Sequence, residues 1–479
     1  MTTFLFRKYA PVVALMGLGL TACQPDLEDD FTPSAGSADF SRYIAVGNSL
    51  TAGLSDGGLY LEGQLSSYPN LLAGQFRAAG GGDFVQPLFQ TGQENGSGYL
   101  RLSGFTSTGS PITASVTTNL ALRSGATAAR PLYTKFTEPV NNLGVPGIRL
   151  SDIETAGYGS FLGNPYFERL TPDAQAAQTY LARVTASNPT FFTNWLGNND
   201  VLGFATAGGG ASFLTTTAVF TDRNNKIIDA LTANGAKGLV ATIPDVTNIP
   251  FFTTVGPSFR ASLTAGNAAG VVITTGGFSV TAGMPPTRRT ILTNTIRDAS
   301  GNGNQLFTLT ASPYLALFNR PGGRAWRDVY NQARPSLPPA VTLSVFLALQ
   351  GVDTAQAFGA SSGNPIPSTL VLDDTEQTLV RTATTAFNAA IIAKANEKGL
   401  AIFDANAFFA GVAASGIVTN GVANNTSYIS GNLFSLDGVH PTPRGYAIIA
   451  NEMIKAINAK YGSSISQVNP TDYRGVRFP

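Results

Sequence analysis

Charge is scarce in this chain. Only 12% of its 479 residues are Asp, Glu, Lys or Arg, and the two signs nearly cancel at a formal net charge of +1. There is therefore no basic field to hold nucleic acid, and no block of like charge suggests a tail. A single cysteine, Cys23, excludes a disulfide within the chain, and a single histidine, His440, leaves little material for a zinc site of the usual ligand types. No phosphate-cradling glycine motif and no internal repeat is present. These shortages lead to the expectation that the protein uses neither metal nor cofactor. Apolar residues, in contrast, make up 43% of the chain, and it carries 52 glycines. That is enough for a large core, in one enlarged domain or in two to three ordinary ones. Low charge with abundant Gly, Thr, Asn and Ala leans toward an extracytoplasmic protein.

The N-terminus agrees with that lean. Arg7 and Lys8 precede an apolar run from Ala10 to Leu20, too short to span a bilayer as a mature helix. The run ends in Leu20-Thr21-Ala22-Cys23, which resembles a bacterial lipobox. The resemblance implies removal of residues 1–22, a lipid on Cys23 and membrane attachment through it, with the outer membrane as the destination. The stretch Gln24-Pro25-Asp26-Leu27-Glu28-Asp29-Asp30 is acidic and lacks a core pattern, so residues 23–40 read as a solvated tether. It also resembles acidic export signals that carry some bacterial lipoproteins to the cell surface.

The body of the chain reads as strand and helix in alternation. Tyr43-Ile44-Ala45-Val46 is a short run of β-formers that closes on Gly47-Asn48-Ser49-Leu50, a strand entering a turn with Thr51 to Leu54 opening a helix. A serine at such a turn has its hydroxyl clear of the backbone, and amides at a helix start can receive negative charge. Tyr68 to Phe76 has helical spacing. Residues 90–130 turn to Gly, Ser and Thr and read as an insertion of hairpins or irregular loops. Asn142-Leu143-Gly144-Val145-Pro146-Gly147 is a turn-rich loop in which backbone amides can approach a ligand. From Pro172, the positions Ala174, Ala177, Leu181 and Val184 share one helical face. Thr190 to Leu196 reads as a buried strand that ends in Gly197-Asn198-Asn199-Asp200, side-chain amides at the edge where open α/β sheets put their sites. Lys226 to Leu231 reads as helix and Gly238 to Pro244 as strand. Residues 251–368 break the pattern, are too long for a loop, and read as a folded insertion beside the site. A long helix from Asp374 to Lys398 and a strand from Leu400 to Asp404 restore it. Together these predict a three-layer α/β/α sandwich with a mostly parallel central sheet and large insertions.

The last chemically suggestive stretch is Asp437-Gly438-Val439-His440-Pro441-Thr442-Pro443. Thr442 is suited to cap a helix that has Pro443 at its first position, with Tyr446, Ile449, Met453 and Ile457 as its apolar stripe. A carboxylate three residues before the only histidine can reach the Nδ1 proton while Nε2 faces outward.

Taken in order, the four blocks at Gly47 to Leu50, Asn142 to Gly147, Gly197 to Asp200 and Asp437 to His440 resemble those of the SGNH/GDSL hydrolase family. The resemblance spans the framework from Arg42 to Lys460 and implies a flavodoxin-like sheet. It implies Ser49 as nucleophile, His440 as general base and then acid, and Asp437 as the residue that fixes the imidazole tautomer. The N–H of Ser49, the N–H of Gly147 and the Asn199 side-chain amide would form the oxyanion hole. Glycine would be needed at 147 because a side chain there would crowd the acyl carbon. The family usually has Asp where this chain has Asn48. The function so implied is hydrolysis of a carboxylic ester, small or polymeric: a lipid, an aryl ester or a glycan acyl group. A surface lipoprotein that binds glycan or lipid on the same fold without turnover, and an acyltransferase, are the alternatives.

Overall fold

The computed structural model describes residues 32–107, 109–210, 214–279 and 281–479. The expected signal segment, Cys23 and the acidic stretch at 24–30 lie outside these residues. Tyr43 to Val46, rich in side chains that suit a pleated surface, forms strand β1, Tyr43–Gly47, with every residue buried. Four more strands join it: β2 at Asn142–Gly144, β3 at Phe191–Trp195, β4 at Lys237–Ala241 and β5 at Ala401–Phe403. All pair in parallel, in the order β5-β4-β3-β1-β2. This is the flavodoxin-like order, and it reverses direction between β1 and β3, where such sheets open a crevice at their C-terminal edge.

The strands are buried on both faces, and the two-residue period of a strand divides their side chains between two layers. Ile44, Val46, Phe192 and Val240 pack on one side with Ile227 and Leu231 of the helix Thr217–Thr232 and with Val380 and Phe387 of the helix Asp374–Glu397. The helices there are α3, Asn199–Thr206; α4, Thr217–Thr232; and α5, Asp374–Glu397. Phe220 and Phe387 stack at 3.9 Å between α4 and α5. Tyr43, Ala45, Phe191 and Leu239 face the other way. They meet Leu72 and Phe76 of helix α2, Tyr68–Arg77, and Tyr446, Ile449, Met453 and Ile457 of helix α6, Pro443–Tyr461. Each buried Val, Leu, Ile, Phe or Met side chain among these contributes about 1.5–3 kcal/mol by leaving water. The α6 cap is as its sequence predicts: Thr442 Oγ1 accepts from Gly445 N at 3.0 Å, and Pro443 is the first helical residue.

Two expectations need correction. The helix from Pro172 is only partly formed: a 3-10 turn at Asp173–Gln175 is followed by a short helix at Tyr180–Thr185, started by Thr179, whose Oγ1 accepts from Ala182 N at 3.1 Å. Ala174 and Ala177 are exposed, so the apolar stripe they suggested has nothing to pack against. The tether does not run to residue 40. Ser37 N donates to Tyr461 O at 2.8 Å, Lys237 Nζ donates to Ser37 O, and Phe40 stacks on Phe76 at 4.1 Å. From Ser34 onward the chain is therefore docked at the edge of the sheet where β4 starts and α6 ends.

The insertions are also more particular than their composition suggests. Tyr99–Phe105 and Pro111–Val116 form an antiparallel hairpin, whose Leu102 packs with Ile429, Leu436 and Val476. It thus backs the loop that carries Asp437. Residues 251–368 build a core of their own around Val255, Phe259, Ile273, Ile291, Phe307 and Phe358. They touch the loop that carries Asp437 at their entry, where Phe251 N donates to Gly438 O at 2.9 Å.

Candidate active site

Ser49 follows β1 on a turn that a side chain at position 47 would spoil. A Cβ on Gly47 would come within 1.9 Å of Thr51 Oγ1. The helix that opens at Ser49, α1, is a single turn, Ser49–Ala52, so the donor it offers is the Ser49 N–H itself rather than a long helix dipole. Asn48 caps it, its Oδ1 accepting from Leu50 N at 3.0 Å. The turn is then pinned from several sides. Thr51 Oγ1 pairs with Tyr68 OH at 2.8 Å, Tyr446 OH donates to Leu54 O at 2.7 Å, and Asn142 Nδ2 donates to Thr51 O at 2.9 Å. Tyr180, fully buried, donates its hydroxyl to Leu143 O at 2.6 Å and accepts from Gly47 N at 3.3 Å, tying the ends of β1 and β2 together.

The fold brings Ser49, His440 and Asp437 together. His440 Nε2 lies 2.8 Å from Ser49 Oγ, and its Nδ1 lies 2.7 Å from Asp437 Oδ2. Nδ1 carries the proton when it donates to the carboxylate, which leaves Nε2 free to accept from the serine. The Asp437 carboxylate is surrounded by donors. Oδ1 accepts from Val439 N and His440 N, each at 2.8 Å, and from Ser435 Oγ at 3.2 Å; Oδ2 also accepts from Gly57 N at 2.8 Å. Burial pushes this carboxyl up, but the charge of His440 and the hydrogen bonds from His440 and Val439 outweigh it and hold the group below its ordinary value.

Of the three expected oxyanion donors, the N–H groups of Ser49 and Gly147 make no hydrogen bond within the described residues. Asn199 Nδ2 donates to Ile148 O at 2.9 Å, which uses one of its two protons and fixes the amide on the glycine loop. Gly144, the other glycine of that loop, has its N–H committed to Asn142 Oδ1 at 2.9 Å, and a Cβ there would meet Ala52 N at 2.4 Å. It serves packing. At Gly147 a Cβ would come no closer than 3.6 Å to the surrounding protein atoms, so packing within the protein does not require glycine there. What the position demands is its φ of +83°, which L side chains rarely adopt.

Sequence reasoning missed two carboxylates that hold the site. Asp200, within the Gly197 to Asp200 block but given no role, is 1% exposed. Its Oδ2 accepts from Leu150 N at 2.7 Å, and its Oδ1 accepts from Thr215 Oγ1 at 2.7 Å and Ser151 N at 3.3 Å, anchoring the glycine loop to α3. Burial pushes it up to about 6 against those hydrogen bonds. Asp56, buried and at φ +51°, accepts from Leu436 N at 3.1 Å and Tyr60 OH at 2.8 Å, and Arg474 lies 3.6 Å away. Asp56 N in turn donates to Ser435 Oγ at 2.8 Å. It joins the turn after Ser49 to the loop of Asp437. Its sequence signal, an Asp-Gly pair, looks like any turn.

An apolar slot opens beside the triad, lined by Leu50, Trp195, Leu202, Val246, Ile249, Phe409 and Phe434 together with Ser49 and His440. Its volume is about 60 Å³. The wall near the insertion comes from 244–249, just before it, and none of 251–368 lines the slot. Three buried amides at this edge have atoms without partners among the described residues: Asn48 Nδ2, Asn194 Oδ1 and both polar atoms of Asn198. Compared with known proteins, the chain matches no family model and is significantly similar to no curated protein.

Proposed function

We propose that this protein is a serine esterase of the SGNH/GDSL type that cleaves a carboxylic ester through an acyl-serine intermediate. The observation that carries the reading is the continuous relay from Asp437 Oδ2 through His440 to Ser49 Oγ, at 2.7 and 2.8 Å. A binding protein has no need of that chain of contacts, nor of two uncommitted N–H groups beside a fixed amide. In the first half-reaction His440 Nε2 takes the Ser49 proton as Oγ bonds to the acyl carbon. The carbonyl oxygen becomes negative and is received by the N–H groups of Ser49 and Gly147 and by Asn199 Nδ2. The C–O bond then breaks and the departing alkoxide takes the proton from His440. Water repeats the sequence on the acyl-serine, freeing the acid and restoring Ser49. The small apolar slot favours a short acyl chain, roughly two to four carbons, over a fatty one. A fluorophosphonate probe at pH about 8 is expected to label the folded protein, with the adduct mapping to Ser49 by peptide mass. No labelling would overturn the esterase reading in favour of a binder.

The N-terminal part of the proposal is membrane attachment by a lipid on Cys23, supported by the short apolar run and the Leu20 to Cys23 tetrapeptide. Mass spectrometry of the membrane-fraction protein is expected to find diacylated Cys23 as the first residue; an unmodified Cys23 refutes it.

A further inference from the structure

The acyl-serine reading leaves the alcohol half of the ester unassigned, and any identity given to that half rests on that reading. A second cleft, open and of about 930 Å³, adjoins the apolar slot. Asn199 and Leu202 line both spaces, and Gly147 lines the cleft. The two spaces therefore meet beside Asn199, one of the donors of the proposed oxyanion hole. After attack on the ester the acyl group stays bonded to Ser49, while the alcohol must depart before water can enter. An enclosed slot suits the part that stays, and an open cleft suits the part that leaves.

The chemistry of the cleft narrows what that alcohol is. Among the described residues, Arg149 and Asp152 are the only charged ones that line it, and they spend their charge on each other at 3.2 Å. A phosphate-bearing headgroup would call for a cation not already paired. A fatty chain would call for an unbroken apolar wall, but here Leu162 and Leu202 share the lining with the hydroxyls of Thr155, Tyr158, Ser160 and Thr206 beside the ion pair. Fixed donors and acceptors, no net charge and one tyrosine ring are complementary to a neutral polyhydroxylated molecule. The volume lies at the upper end of small-molecule sites, about 300–1,000 Å³, and so suits more than one sugar ring. We propose that this cleft is the subsite for a carbohydrate alcohol, so that the enzyme removes short acyl groups from sugar hydroxyls. The acyl carbon passes from the sugar oxygen to Ser49 Oγ and then to water, and the sugar oxygen leaves with the proton carried by His440.

The test compares kcat/KM for partially acetylated xylotetraose, for ethyl acetate, whose alcohol cannot fill the cleft, and for dibutyryl phosphatidylcholine. The acetylated sugar is expected to exceed ethyl acetate by about tenfold or more. Two cleft-filling variants on different elements, Thr155→Trp and Thr206→Trp, are each expected to reduce that ratio by about tenfold. Thermal unfolding identifies a variant that fails to fold, and the other then decides. A ratio near one, a preference for the phospholipid, or a ratio that neither folded variant lowers would overturn the proposal while fluorophosphonate labelling of Ser49 leaves the esterase reading standing. Absence of labelling together with absence of all turnover would end both.

Discussion

Under the proposed acyl-serine mechanism, replacing Asp437 by Asn changes one heavy atom and should abolish turnover, and the reason lies in how many donors that carboxylate serves. Oδ1 accepts from the Val439 and His440 amides and from Ser435 Oγ, and Oδ2 from Gly57 N and His440 Nδ1. An amide has one acceptor atom for these two sets. With its oxygen toward the loop amides, its NH₂ faces Gly57 N–H and His440 Nδ1. In the flipped orientation the NH₂ faces two backbone N–H groups, each left unpaired at a cost of about 1–3 kcal/mol. The first orientation is cheaper, because Gly57 is exposed and water can replace its acceptor. It forces Nδ1 of His440 to accept and moves the proton to Nε2, where the ring cannot take the Ser49 proton. The expected loss in kcat is about 10³–10⁴-fold, or about 4–5.5 kcal/mol, with a loss of stability near 1 kcal/mol. Turnover of p-nitrophenyl acetate, the rate of fluorophosphonate labelling and thermal unfolding measure the three quantities. The pH dependence adds a check of sign. The Asp437 carboxyl is held below 3.8, so its contribution to stability is present above that value and disappears as pH falls through the depressed one. The stability gap between wild type and Asp437→Asn should therefore close in acid. A variant within about tenfold of wild-type kcat would refute the tautomer argument.

Asn48→Ala removes the cap on Leu50 N, typically worth about 1 kcal/mol, and should slow kcat/KM about fivefold. Asn48→Asp keeps the accepting oxygen and should stay within about tenfold of wild type; an Ala variant as fast as wild type would show that the side chain orients nothing. At Glu376, burial raises the carboxyl from 4.5 to about 7. Its contribution to stability is therefore full below pH 4.5 and is lost as pH rises through about 7. Glu376→Gln should flatten that part of the stability–pH curve, and an unchanged slope in calorimetry between those limits would exclude the assignment.

Much of the site was legible because each block is a local event. A β-forming run that ends in Gly47, an Asn-rich turn after Trp195 and an Asp437 three residues before His440 all announce themselves within a few residues. Strand and helix alternation likewise carried the layered fold, since Ile44 and Val46 on one face and Tyr43 and Ala45 on the other need cover on both sides. What stayed hidden depends on partners far apart in the chain. Arg474 reaches Glu62 at 2.8 Å and approaches Asp56, and no spacing rule links residues 412 positions apart. Tyr68 and Tyr446 read as parts of helical apolar faces and Tyr180 drew no reading, yet the hydroxyls of all three secure the backbone around Ser49. The 251–368 segment hid its core for the opposite reason: short irregular pieces contribute one or two apolar residues each, and no period emerges.

The docking of residues 34–40 bears on where substrate comes from. If Cys23 carries a lipid, only eleven steps of chain separate the bilayer from Ser34. Whatever their conformation, those steps reach at most about 40 Å. A folded body of this length is roughly 55 Å across. The leash ends beside Tyr461 and Lys237, at the N-terminal edge of the sheet, whereas Ser49 and His440 sit at the opposite edge. It is too short to let the molecule turn over. The anchored enzyme would stand with its catalytic mouth pointing outward, out of reach of the leaflet that holds it and open to polymers arriving from the surroundings.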